Sequence, residues 1–212
     1  MLRGAFECRA LVEPVALAEA KGLQADAYVR SGHLPAAALT REGWLPWHDR
    51  AAAHRVRWFG TYDAGGRLVA VATKVSGGSL PTLRLMGDDR PAALDGCPSE
   101  LIAEPSGVAK APHVPLIATL HLYRAIYHDS VRRGDRLWVM SVIPAVRATL
   151  ERVLPGAVTV GARPIRLAGA YPGVRAETVV YPAWGAVDGF TAQIRAAGND
   201  EVADFMDDGI RV

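Results

Sequence analysis

The residues from Leu101 to Ile143 constrain the fold of this 212-residue chain most strongly, because their hydrophobic period changes twice. Polar and apolar residues alternate from Glu104 to Lys110, which predicts a short half-buried strand. Apolar residues at helical spacing follow over 114–133, and Gly134 is a suitable C-terminal cap. Residues 137–142 are almost continuously apolar, as in a strand covered on both faces. The stretch therefore predicts a strand-helix-strand unit with a carboxylate on its first strand.

Patterns before this unit predict a strand, a helix and a hairpin. Residues 6–12 are a candidate strand, and proline at the first turn favours a helix over 14–30. Two strand-like runs, 55–62 and 67–75, flank a Gly-rich turn, which predicts a β-hairpin. Residues 33–53 have no clear period, and long loops of this kind are often functional.

The remaining patterns complete the expected fold. We expect residues 80–86 to be a short strand or extended segment, and a short helix to begin at Pro144. Further strands are expected over 158–167 and 176–181. This order predicts an α/β (mixed α+β) fold in which helices flank a central, twisted, mixed sheet.

Composition narrows the class of protein. Half of the residues are hydrophobic, enough for the core of one domain, which we expect over residues 1–190 with an acidic C-terminal appendage over 191–212. Basic and acidic residues nearly balance, 24 against 22, which argues against a nucleic-acid partner. No apolar segment approaches the roughly 20 residues that span a bilayer, so we expect no membrane partner. Cys8 and Cys97 lack a CxxC spacing, and the simplest interpretation is reduced thiols in a cytoplasmic protein.

Motifs of several enzyme classes are absent from the sequence. His121 and His128 lie two helical turns apart, roughly 10 Å, too far to share one metal ion. There is no HExxH motif, G-x-S-x-G elbow, Walker A motif or Rossmann glycine fingerprint. We therefore expect no metal and no permanently bound cofactor.

A family resemblance is carried by residues 104–109, 65–70 and 44–49. These segments resemble the GCN5-related N-acyltransferases, and within them the branch of acyl-homoserine-lactone synthases and N-acyl amino acid synthases. Residues 104–109 (Glu-Pro-Ser-Gly-Val-Ala) are similar to the Glu-x-Ser-Arg-Phe-Ala pattern on the fourth strand of that branch. Residues 65–70 resemble its Gly-Arg hairpin, and 44–49 lie where it carries an aromatic and acidic loop. Two positions differ from the branch: Gly107 and Lys74 stand where it carries arginines.

The resemblance implies an N-acyltransferase that moves an acyl group from an acyl-CoA or acyl-carrier-protein thioester to a small, amino-acid-like amine. Such a reaction needs a base for the ammonium proton and a donor for the developing oxyanion. The resemblance implies Glu104 as the base and Ser106 as a second catalytic residue. The alternative for Glu104 is a structural carboxylate paired with an arginine such as Arg124, and a strand serine often bonds only backbone.

The resemblance also implies where the thioester donor binds. Backbone N–H groups after the fourth strand and at the start of the 114–133 helix would face the donor's phosphates, as helix N-termini suit anions. The implied donor-binding residues are Val108, Ala109, Lys110, Val114 and Arg124. For Arg124, the alternative is a solvated charged face.

Aromatic residues are the candidates for the acceptor and acyl pockets. Trp44, Trp47 and Asp49 lie in the aperiodic loop and are candidates for a lid over the substrate. Trp138 and Met140 on the apolar strand are candidates for the wall of an acyl pocket. Ordinary packing of a loop and of a core strand would give the same pattern.

Two other classes of function stay open from the sequence. A catalytically silent protein of the same fold could bind an acyl thioester or a protein partner as a regulator, and Gly107 in place of arginine favours it. A plain α+β binding module unrelated to acyltransferases is the third alternative.

Overall fold

The computed structural model of the chain describes residues 5–48, 55–77, 80–87, 90–167 and 169–210. Its strands in chain order are β1 (Phe6–Leu11), β2 (Arg55–Asp63), β3 (Leu68–Ser76), β4 (Ile102–Lys110), β5 (Leu137–Val142), β6 (Thr159–Val160), β7 (Ile165–Arg166) and β8 (Val179–Ala186). Its helices are α1 (Pro14–Arg30), α2 (Pro81–Met86), α3 (Ile117–Arg133), α4 (Pro144–Val153), α5 (Phe190–Ala196) and α6 (Asp200–Asp207).

The strands form a mixed sheet in the order β1-β2-β3-β4-β5-β8-β6, with β7 beside β8. β1 and β2 are antiparallel, with Phe6 opposite Asp63. β4 and β5 are parallel, with Ile102 opposite Leu137. Parallel neighbours need a long crossover connection, and the chain between these two strands contains α3. A mixed sheet with helices confirms the predicted fold class.

The chain divides into two compact units, each taken here as far as its residues are described. The first comprises Met1–Val75, Pro105–Ile126 and Arg166–Thr178, and the second comprises Ser76–Glu104, Tyr127–Ile165 and Val179–Val212.

The first unit is built on the predicted helix and hairpin, which are both confirmed. α1 begins with Pro14, whose missing N–H group is tolerated in the first turn. Its buried Ala20 packs against Leu11 of β1 and Val71 of β3. The hairpin turn is closed by Asp63, whose side-chain oxygen accepts hydrogen bonds from the backbone N–H groups of Gly65 and Arg67.

The second unit has an aromatic core around the apolar strand β5, as its hydrophobic run predicted. The ring of Trp138 lies 4.9 Å from that of Phe190, and Tyr127 stacks on Phe190 at 5.0 Å. The Trp138 indole N–H donates to Ser130 Oγ at 2.9 Å, so its polar group is satisfied inside the core.

The C-terminal residues form α5 and α6 in the second unit. Phe190, Phe205 and Met206 are buried, and His128 bonds the Met206 carbonyl at 2.7 Å. This segment therefore contributes core side chains. The domain boundary at residue 190 stays a prediction.

The prediction of a short strand or extended segment over residues 80–86 is wrong, because the segment from Pro81 forms the short helix α2. Proline presets a helical φ at the first turn, and the backbone N–H of Thr82 is bonded by the Glu104 carboxylate. The six-residue segment is too short to show a helical period.

The continuous strand predicted over 158–167 is also wrong. The structure has only the two-residue strands β6 and β7 there. Pro164 cannot donate a ladder hydrogen bond, which limits pairing at this position. The strand predicted over 176–181 begins later, at Val179, and extends to Ala186.

No helix in the described ranges combines the length and apolar composition needed to cross a bilayer.

Candidate active site

Glu104 lies on β4 and belongs to the second unit. It is 2% exposed, and both of its carboxylate oxygens accept hydrogen bonds from Thr82. Oε2 accepts the backbone N–H of Thr82 at 3.0 Å, and Oε1 accepts the Thr82 hydroxyl at 2.8 Å. The carboxylate therefore caps the first turn of α2.

Burial raises the pKa of Glu104 from 4.5 to about 7. The two hydrogen bonds from Thr82 and the positive charge of Arg84 act in the opposite direction, so desolvation is the dominant cause. A carboxylate with a pKa near 7 can take up or release a proton at neutral pH, which is the property required of a general base.

The network extends from Glu104 to β5. The Thr82 hydroxyl also hydrogen-bonds the Ser141 hydroxyl, with 2.8 Å between the two oxygens. Thr82 is fully buried, whereas Ser141 is half-buried. Sequence reasoning missed both residues. Ser141 could have been noticed in the sequence, since it is the polar residue of an otherwise apolar strand. No sequence pattern points to Thr82.

The predicted catalytic residue Ser106 and its neighbour Gly107 lie in the first unit. The Ser106 carbonyl accepts the Thr73 hydroxyl at 3.0 Å. The Gly107 carbonyl accepts a hydrogen bond from the Gln24 side-chain amide. Gln24 Oε1 lies 2.6 Å from His48 Nε2, and both of these side chains are buried.

Gly107 is required by this arrangement. Its φ is +59°, and a Cβ added there would overlap the Gln24 amide. Any larger residue would need both an unfavourable backbone conformation and a displaced Gln24. The space next to the β4 backbone, where the resembling branch carries arginine, is thus filled by glutamine from α1.

The predicted donor-binding residues on β4 meet at the turn before α3. The Lys110 ammonium donates to the Val114 carbonyl at 2.6 Å, and the backbone N–H of Ala111 donates to the Val69 carbonyl at 2.9 Å. Val108 is half-buried and Ala109 is buried. The structure therefore brings Lys110 and Val114 together.

Arg124 is half-buried on α3. Burial raises the pKa of the Cys8 thiol on β1 to about 12, and the charge of Arg124 opposes that rise. Arg124 is thus close enough to Cys8 on β1, in the first unit, for its charge to act on the thiol. The alternative partner predicted for Arg124 was Glu104, whose carboxylate is hydrogen-bonded by Thr82.

The tryptophans of the predicted lid have partners within the first unit. The Lys21 ammonium lies 4.2 Å from the Trp44 ring centre. Trp47 makes edge-to-face contacts with Tyr28 at 5.8 Å and Tyr171 at 5.3 Å. Asp49 lies outside the described residues. Packing accounts for the positions of both tryptophans, and their role towards a substrate stays a prediction.

Trp138 and Met140, predicted to line an acyl pocket, are 1% and 3% exposed. Trp138 belongs to the aromatic core described above. Among the described residues, no group of three or more His, Cys, Asp or Glu side chains is placed to hold a metal ion.

Comparisons with known proteins identify the fold. No protein-family model matches the sequence, and no curated protein matches it either. Similar solved structures include FeeM, an N-acyl amino acid synthase from uncultured soil microbes, with 16% identity and a TM-score of 0.65 over 89% of this chain and 94% of FeeM. BjaI, a CoA-dependent acyl-homoserine lactone synthase solved with SAM and isopentyl-CoA, has 18% identity and a TM-score of 0.58 over 98% and 95% of the two chains.

A putative phosphinothricin N-acetyltransferase is similar as well, with 13% identity and a TM-score of 0.55 over 85% of this chain and 97% of that one. These structures share one architecture at low sequence identity. The chain therefore has the fold of the GCN5-related N-acyltransferases, as the resemblance predicted.

Proposed function

We propose that the protein is an N-acyltransferase, which moves an acyl group from an acyl-CoA or acyl-carrier-protein thioester to the amine of a small, amino-acid-like molecule. The observation that carries the proposal is Glu104, a buried carboxylate whose pKa is about 7, on β4 of an acyltransferase fold. An amine attacks a thioester only as the free base, so the reaction needs a group that removes the ammonium proton.

Glu104 fits this role by position and by environment. Its carboxylate is held by two hydrogen bonds from Thr82, which fix its orientation before any substrate binds. With its pKa near 7, it is ionised in a large fraction of molecules at neutral pH and still accepts a proton readily.

The donor is an acyl-CoA or acyl-carrier-protein thioester. Support for CoA comes from BjaI, which is CoA-dependent. On this chain, the turn that joins Lys110 to Val114 before α3 is the proposed donor site, with Val108, Ala109 and Arg124. A helix N-terminus and a nearby ammonium both favour phosphate groups.

The proposed acceptor is an amino-acid-like amine, and the acyl chain lies against Trp138 and Met140. FeeM, an N-acyl amino acid synthase, supports this class of acceptor. Trp44, Trp47 and Asp49 are proposed to border the acceptor, and Ser106 to hydrogen-bond substrate. Use of these substrates implies a cytoplasmic location.

A thiol-release assay tests the proposal. The purified protein is incubated with a panel of acyl-CoA and acyl-carrier-protein thioesters and pooled amino acids, and free thiol is followed with a chromogenic reagent. We expect amine-dependent release that falls by about 10²- to 10⁴-fold in Glu104→Gln, the usual contribution of general acid–base catalysis. Glu100→Gln is the matched control, because Glu100 is exposed.

A catalytically silent member of the same fold is the second candidate, favoured by Gly107 in place of arginine. It predicts that CoA or acyl-CoA binds, as measured by native mass spectrometry, while no thioester and amine pool gives release. Release that Glu104→Gln leaves unchanged would keep the acyltransferase but remove Glu104 as its base.

A further inference from the structure

We propose that Ser141, Thr82 and Glu104 form a proton relay, in which Ser141 receives the proton from the substrate amine and Glu104 is its final acceptor. This inference rests on the proposed acyltransferase function, since the proton that moves is that of the acceptor's ammonium group.

The hydrogen bonds of the three residues define a direction. Each hydroxyl carries one hydrogen and accepts through its lone pairs. An ionised Glu104 is acceptor only, so the Thr82 hydroxyl donates to Oε1 at 2.8 Å. Thr82 must then accept from Ser141, whose oxygen lies 2.8 Å away. The lone pairs of Ser141 Oγ remain able to accept from a third group.

Of the three hydrogen-bonded residues, Ser141 is the one that a substrate can reach. Glu104 and Thr82 are 2% and 0% exposed, whereas Ser141 is half-buried. A substrate amine therefore meets the Ser141 hydroxyl more readily than the Glu104 carboxylate.

The transfer balances without any further reactant. The ammonium N–H bond breaks and its proton binds Ser141 Oγ, while Ser141 passes its own hydroxyl hydrogen to Thr82 Oγ1. Thr82 passes its hydrogen to Glu104 Oε1, and the carboxylate becomes a carboxylic acid. The amine keeps the electron pair of the broken bond and attacks the thioester carbonyl. Reversing the same hydrogen bonds returns the proton to solution after the product leaves.

The remaining contacts hold the carboxylate of Glu104, the final proton acceptor, in place. The Thr82 backbone N–H binds the other carboxylate oxygen, Oε2, at 3.0 Å, which leaves Oε1 for the relay. The charged group that faces Glu104 from α2 is Arg84, whose positive charge favours the ionised form. Ser141 faces it from β5 through Thr82 and is neutral.

Four variants test the relay by thiol release. Thr82→Val removes the hydroxyl with little change of shape, and Thr82→Ser restores it. Ser141→Ala removes the outer end. Thr149→Val is the matched control, since Thr149 on α4 bonds only its own helix through the Ala145 carbonyl. We expect kcat to fall about 100-fold in Thr82→Val and about tenfold or more in Ser141→Ala, with KM for the thioester within about twofold and Thr82→Ser near wild type.

A second measurement follows the ionisation of Glu104 directly. The carboxylate band of Glu104 is isolated by infrared difference against Glu104→Gln during a pH titration. Because Thr82→Val removes a hydrogen bond that lowers the pKa of Glu104, this variant should titrate at higher pH than wild type. Thr82→Ser should not.

The outcomes separate this inference from the proposed function. Absence of thiol release by the wild-type protein overturns both. Wild-type release that Thr82→Val leaves intact, while the pKa of Glu104 rises, overturns only the relay, because Glu104 would then take the proton directly. Equal loss in Thr82→Val and Thr82→Ser also overturns it, since a structural role would explain that pattern. Loss in Thr82→Val with rescue in Thr82→Ser supports it.

Discussion

Two polar networks on β4 differ in what they can do. In the second unit, Thr82 and Ser141 extend from the Glu104 carboxylate. In the first unit, Gln24 and His48 extend from the Gly107 carbonyl. The network of the second unit contains a carboxyl group whose pKa is about 7, whereas that of the first unit holds the backbone of β4 through the Gly107 carbonyl. The comparison suggests proton transfer in one and fixation of the backbone in the other.

The structure gives a physical reason for glycine at position 107. The resembling branch carries arginine at this position, but here the backbone adopts φ = +59° and the Gln24 amide occupies the space of a side chain. Glycine and glutamine therefore form a matched pair across 83 residues of sequence.

The largest expected effect concerns the pH dependence of stability. Because the pKa of Glu104 is raised from 4.5 to about 7, the native protein holds a proton between these pH values that the unfolded chain has lost. The free energy of unfolding should therefore fall by about 3 kcal/mol from this group as pH rises through that window. The contribution is fully present below pH 4.5, the unfolded value.

Urea unfolding of wild type and Glu104→Gln at about pH 4 and about pH 8 measures this contribution. The difference between the two pH values should be smaller in the variant by that amount. An identical pH dependence in both proteins would show that the pKa of Glu104 is not raised.

Gly107→Ala is expected to destabilise the protein by about 2–3 kcal/mol, because it adds backbone strain and a clash with Gln24. Gly66→Ala is the matched control. Gly66 also has a positive φ, +75°, but a Cβ there meets no atom within 4 Å, so only the strain of about 1 kcal/mol remains. Chemical denaturation measures both. Equal losses would contradict the close packing of Gln24 on Gly107.

Gln24→Ala is expected to lower stability by about 1–2 kcal/mol, because it leaves the Gly107 carbonyl and its own partner His48 with one hydrogen bond fewer. The pH dependence of thiol release should keep its wild-type midpoint, since Gln24 bonds Gly107 and His48, whereas the carboxylate of Glu104 is bonded by Thr82. Release measured across the neutral pH range checks this. A shifted midpoint would show that the two networks do not act separately.

The smallest effect is expected at Trp44. Trp44→Leu should cost about 0.5–1 kcal/mol through loss of the contact with the Lys21 ammonium, and Lys21→Met should remove the same contact. A double-mutant cycle by thermal unfolding measures it. If Trp44 also borders the acceptor, as proposed, KM for the amine rises in Trp44→Leu and not in Lys21→Met. An unchanged KM in both would remove Trp44 from the site.

Elements with strong local signals could be predicted from the sequence. α1 carries proline at its start, the β2–β3 hairpin carries a Gly-rich turn, and β5 is continuously apolar. α2 could not be predicted, because six residues show no period and its first turn is bonded by Glu104, 22 residues away. The two short strands β6 and β7 likewise lack enough residues for a pattern.

Of the candidate site, only Glu104 could be predicted from the sequence, because it stands in a recognisable short motif. Glu104 stands in a segment that resembles a known pattern, but Thr82 and Ser141 reach it through contacts spanning 22 and 59 residues. Gln24 is equally invisible, because its relation to Gly107 depends on the packing of α1 against β4 within the first unit. Hydrogen bonds between distant segments leave no periodic trace in a single sequence.

The most direct test of the central claim is the pH profile of amine-dependent thiol release, measured beside the infrared titration of Glu104. The account predicts that the rate rises with pH as a group with an apparent pKa of about 7 loses its proton. It also predicts that Glu104 titrates at the same pH and that Glu104→Gln abolishes both transitions. A Glu104 that titrates near its ordinary value, or a rate profile that Glu104→Gln leaves unchanged, would contradict the account.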